Sequence, residues 1–84
     1  METLEELGES VAAARRSLRL KQTEVASRAG ITRESLLRFE RGQVAEFGVR
    51  KLLAVLAVLG MEISFAPKGM SGTLDELRRE RGGA

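Results

Sequence analysis

The chain has 84 residues, 43% hydrophobic and 31% charged, enough for one small domain with a modest core. It contains neither Cys nor His, which excludes a disulfide framework and the usual zinc sites and removes the commonest nucleophiles and general bases. Net charge is +2 but unevenly placed: residues 1–10 carry four Glu and no base, whereas residues 11–41 carry eight basic residues against three Glu. A domain this small with no covalent or metal staple is expected to gain support from self-association. No apolar run reaches the roughly 18 residues of a membrane span, and no secretory signal opens the chain. The expectation is a cytoplasmic protein that binds no metal or cofactor and has no membrane partner. The nine glycines are scattered among turns and form no phosphate-cradling loop. The composition therefore speaks for binding rather than catalysis.

The first helix is predicted to start at Thr3, which with Glu6 makes a capping box, and early glutamates complement the helix dipole. Leu4, Leu7, Val11, Ala14 and Leu18 follow a spacing of three to four and give one inward stripe. Gly8 weakens that helix by about 1 kcal/mol relative to Ala, so fraying of the first turns is expected.

Gln22 to Arg41 reads as two short amphipathic helices hinged at Gly30. Val25, Ala26 and Ala29 form a narrow apolar stripe, and Ala26 is small enough for two helices to cross closely. Gly30 stands where a helix end needs φ > 0, and Ile31 plugs the corner. Thr32 caps the next helix toward the Ser35 N–H. That helix turns Leu36 and Phe39 inward and leaves Arg33, Glu34 and Arg38 on the opposite face. A small residue, a glycine four later and apolar residues after the turn are the signature of a helix-turn-helix. An αα-corner used only for protein contacts is the alternative.

Gln22 and the run Phe39-Glu40-Arg41-Gly42 resemble the Xre/Cro family of lambdoid phage repressors, over Arg15 to about Leu59. Lys21 departs from the pattern, because the family carries Ser, Thr or Asn there as a helix cap. The resemblance implies a mainly α, lambda-repressor-like bundle of four to five helices that binds double-stranded DNA. It also implies that Arg15 pairs with Glu40, tying the first helix to the third, and that Gln22 anchors a phosphate.

After Gly42 the loop GQVAEFG is followed by a helix from about Phe47 to Leu59, with Val49, Leu52, Leu53, Leu56 and Leu59 on one face. Ala54, Val55, Ala57 and Val58 add apolar surface elsewhere, so burial on a second side by a partner subunit is expected. MEISFAP then changes period from 3.6 to 2. Met61, Ile63 and Phe65 point one way, and residues 61–66 are predicted to form one β-strand pairing across a twofold axis. LGMEISFAP after such a module resembles HipB-type antitoxins, which implies a homodimer and a cognate kinase-like toxin of the HipA type. Lys68 to Ala84 reads as a tail in which Thr73 and Glu76 make a capping box for a short helix. The chain is thus divided into a DNA-binding and dimerisation unit, 1–67, and a tail, 68–84.

The recognition helix of such a motif enters the major groove with its N-terminal residues nearest the bases. Arg33, Glu34 and Arg38 are the candidates for base readout, with Arg on guanine O6 and N7 and Glu on cytosine N4. Gln22, Thr32, Ser35, Arg41 and Gln43 are the candidates for backbone contact. Leu37 sits near the boundary, where thymine-methyl contact and inward packing are both open. The leading reading is a dimeric repressor on a palindromic operator, acting as an antitoxin that also represses its own operon. A stand-alone phage or host regulator and a protein-interaction module without DNA binding are the alternatives.

Overall fold

A computed structural model describes residues 3–68. They form four helices: α1 (Leu4–Ser17), α2 (Gln22–Ala29), α3 (Arg33–Glu40) and α4 (Val49–Val58). Each start has a local cause. The Thr3 hydroxyl accepts from the Glu6 N–H at 3.0 Å and donates to the Glu6 carboxylate at 3.2 Å. Lys21 has no acceptor to offer the first N–H groups of α2; instead Glu24 Oε1 accepts from the Lys21 N–H at 3.1 Å. The Thr32 hydroxyl accepts from the Ser35 N–H at 3.0 Å and opens α3.

The four ends share one device. Each helix closes on a left-handed residue whose N–H, and that of the next residue, bond back to carbonyls of the last turn. Three of these residues are Gly30, Gly42 and Gly60; the fourth is Arg19, with φ 58°. There the Leu20 N–H bonds to the Arg15 carbonyl at 3.1 Å and the Arg19 N–H to that of Arg16 at 2.9 Å.

α2 packs against both α3 and α4, while α1 packs against α3. The core between them consists of Val11, Val25, Ala26, Leu36, Phe39, Leu52, Val55, Leu56 and Leu59. Ala26 is 2% exposed at the crossing of the two hinged helices, where a larger side chain would separate them. Phe47 lies before α4 and stacks on Phe39, ring centroids 4.0 Å apart and nearly parallel, which ties the loop to α3.

Several expectations are corrected. Gly8 has a packing role that helix propensity did not indicate. It is buried, and a Cβ built there would lie 2.1 Å from the Phe39 carbonyl oxygen, so the glycine lets α1 approach the end of α3. The inward face of α4 centres on Val55, fully buried, whereas Val49 and Leu53 are 66% and 49% exposed. Leu18 also turns outward.

The largest correction concerns residues 61–66. No β-strand occurs among the described residues, so the fold is a four-helix, mainly α bundle without the expected strand. The Met61 N–H bonds to the Leu56 carbonyl, closing α4. Alternation of apolar and polar residues orients side chains but supplies no ladder partner, and hydrogen-bonded pairing is what makes a strand. The short helix expected in the tail, capped by Thr73 and Glu76, lies outside the described residues.

Candidate nucleic-acid interface

The interface is built on α3, which the hinge at Gly30 and Ile31 holds across α2. Leu36 and Phe39 are fully buried and fix the inner face of the helix. The opposite face follows from helical spacing: Arg33, Glu34 and Arg38 are exposed and Ser35 is partly so.

Behind α3 lies an anchoring network. Glu40, 6% exposed, accepts from Arg15 Nε at 2.7 Å, Arg15 Nη2 at 2.8 Å and Gln22 Nε2 at 3.0 Å. Arg15 Nη1 donates to the Leu20 carbonyl at 3.0 Å. One carboxylate thereby joins the end of α1, the start of α2 and the end of α3. The hydrogen bond to Glu40 raises the Arg15 pKa above its ordinary value, against the opposing effect of burial. The structure thus brings Arg15 and Glu40 together and directs the Gln22 side-chain amide inward to the same carboxylate.

Two clefts flank α3. On the α2 side, one of about 480 Å³ is lined by Arg15, Arg16, Lys21, Gln22, Thr23, Arg33, Leu37, Glu40 and Arg41. Five cations surround a single carboxylate already bonded to Arg15, so the cleft favours an anion. On the other side, one of about 400 Å³ is lined by Thr32, Glu34, Ser35, Arg38, Val44, Ala45 and Lys51. The residues chosen for base readout therefore divide: Arg33 borders the first cleft, Glu34 and Arg38 the second. Arg41 joins Arg33, whereas exposed Gln43 lines neither cleft.

Sequence reasoning did not single out Arg16, Lys21 or Lys51 as interface residues. Arg16 and Lys21 belong to the basic stretch of residues 11–41, which is the signal that marks them. Lys51 comes from α4, and only the folded chain places it beside Thr32 and Arg38.

A helix presented between two cationic clefts, anchored behind by a buried ion pair, defines a helix-turn-helix DNA-binding domain. Residues 2–66 match the family described as a helix-turn-helix domain, and the chain belongs to that family. The family is DNA-binding and non-catalytic, and the arrangement is consistent with the Xre/Cro type. No curated protein sequence gives a significant match. Among the described residues no helix is long and apolar enough to cross a membrane.

Proposed function

We propose that the protein is a sequence-specific transcriptional repressor that binds a palindromic operator as a homodimer. The observation that carries the proposal is the pair of cationic clefts on either side of α3. The two phosphate backbones that border a major groove have matching seats when α3 enters it. Arg33, Glu34 and Arg38 then read base edges. Arg16, Lys21, Arg41 and Lys51 neutralise phosphates, with Thr32, Ser35 and Gln43 as further backbone contacts. Gln22 serves the same end by its place at the start of α2.

The homodimer is supported by apolar surface that the monomer leaves uncovered. Met61, Ile63 and Phe65 are 44%, 42% and 87% exposed, and Val49 and Leu53 of α4 are exposed as well. A groove of about 570 Å³ opens beside them between α1 and α4, lined by Leu4, Leu7, Leu52, Leu56, Met61 and Ile63 among others. A second copy covers this surface by side-chain packing. Within this reading, the likeness of LGMEISFAP to HipB-type antitoxins favours an antitoxin that represses its own operon beside a HipA-like kinase toxin.

Titration of the protein with duplex DNA at several salt concentrations tests the proposal. Affinity should fall steeply as salt rises, with a log–log slope proportional to the phosphates neutralised. Absence of salt-dependent binding would leave a protein-interaction module instead.

A further inference from the structure

We infer that Leu37 is a specificity-determining residue that reads the 5-methyl group of a thymine. The inference rests on the DNA-binding reading above and deepens it. Leu37 lies on α3 and is half-buried, yet it belongs neither to the apolar core cluster nor to the side chains packed on it. It lines the α2-side cleft instead, where every other lining side chain is polar or charged. Inward packing therefore does not account for it.

Its position gives it a second task. Leu37 follows Arg33 by four residues, one turn along the same face, so the two side chains lie one above the other. When Arg33 bonds a guanine in the major groove, Leu37 stands over a neighbouring base pair. An apolar side chain there is best matched among the base edges by the thymine methyl, the one protruding apolar group in the major groove, where cytosine has only a C–H. Leucine in a cationic cleft thus selects a thymine beside the guanine that Arg33 reads.

The test removes the methyl from the DNA rather than from the protein. Each thymine of a duplex selected by the wild-type protein is replaced singly by deoxyuridine, and affinity is measured for wild type and Leu37→Ala. One thymine per half-site, adjacent to the base pair whose discrimination is lost in Arg33→Ala, should cost wild type about fourfold, the value of burying one methyl group. The same replacement should leave Leu37→Ala unchanged. If no deoxyuridine weakens wild-type binding, or if Leu37→Ala retains the sensitivity, Leu37 only roofs the Arg15–Glu40 pair and the inference is wrong. If no duplex is selected at all, the DNA-binding reading fails first. Because the wild-type measurement needs no substitution in the protein, a folding defect in Leu37→Ala cannot mimic the expected result.

Discussion

Arg15 and Glu40, twenty-five residues apart, meet through two parallel hydrogen bonds of 2.7 and 2.8 Å, with side chains only 11% and 2% exposed. The fork geometry holds α3 against α1 with its outer face free, so the pair positions the recognition helix while itself lining the α2-side cleft. Removing one partner strands a buried charge, and Arg15→Met or Glu40→Leu should each cost about 3–5 kcal/mol. The double substitution should cost much less than the sum, and a denaturant-based cycle yielding no coupling would refute the pairing. The sign of the pH effect follows from the raised Arg15 pKa. A raised folded-state value gives stabilisation that is complete below the unfolded pKa and lost only as pH rises through the folded one. Protonation of Arg15 therefore adds no pH dependence to stability at acid or neutral pH.

Gly8 offers a test in which two effects oppose each other. Helix propensity favours Gly8→Ala by about 1 kcal/mol. The new Cβ, however, meets a backbone oxygen of α3 at 2.1 Å, so backbone rather than a flexible side chain has to shift. Overpacking should win, with a net loss of about 1–3 kcal/mol in thermal or urea unfolding. A stabilised Gly8→Ala protein would mean that α1 and α3 are not in contact there.

Arg19 holds φ 58°, a conformation that costs an L-residue about 1–2 kcal/mol. It is exposed and stands where the three other helix ends have glycine. Arg19→Gly should therefore stabilise the fold by about 1 kcal/mol, read as a rise in Tm. A fall would show that its side chain does something the backbone geometry hides.

The four helices were legible because their signals are local: Thr3 and Thr32 as caps, Gly30 as hinge, and apolar periodicity between them. The face of α4 was not, because a helix apolar nearly all round has no periodic minimum, and only packing against α2 chooses Val55 over Leu53. Residues 61–66 show the limit of a period-2 pattern, which specifies two faces but no partner. At the interface, Arg33 and Arg38 could be chosen from helical spacing alone. Lys51 could not, since its place beside Arg38 depends on how α4 returns past α3. Nor could the inward turn of the Gln22 amide, which one residue type can direct equally to phosphate or to a carboxylate.

The two groups of cations should separate in DNA binding. Arg33→Ala and Arg38→Ala should each lose about 1–3 kcal/mol on the preferred duplex and relax preference at one base pair per half-site. Lys21→Ala and Lys51→Ala should weaken all duplexes alike and lower the salt slope by about one each. Equilibrium titrations on a preferred and a scrambled duplex distinguish the patterns, and an exchange of behaviours would reverse the division between base-reading and phosphate-neutralising cations.

Dimerisation through the uncovered apolar surface makes Phe65 its most sensitive position, since the ring is 87% exposed in the single chain. Phe65→Asp should give monomers in sedimentation at micromolar concentration while leaving helix content intact, because the side chain is outside the core. A dimer that survives Phe65→Asp places the contact elsewhere.

The most direct measurement is selection of bound duplexes from a random pool by the wild-type protein. A sequence-reading α3 in a symmetric dimer should enrich a palindrome whose half-sites are centred one helical turn apart, about 34 Å, or a multiple of it. Each half-site should contain a position that loses enrichment when the selection is repeated with Arg33→Ala. A pool that binds but stays random would show that the two clefts hold DNA by its backbone alone and that α3 reads no sequence.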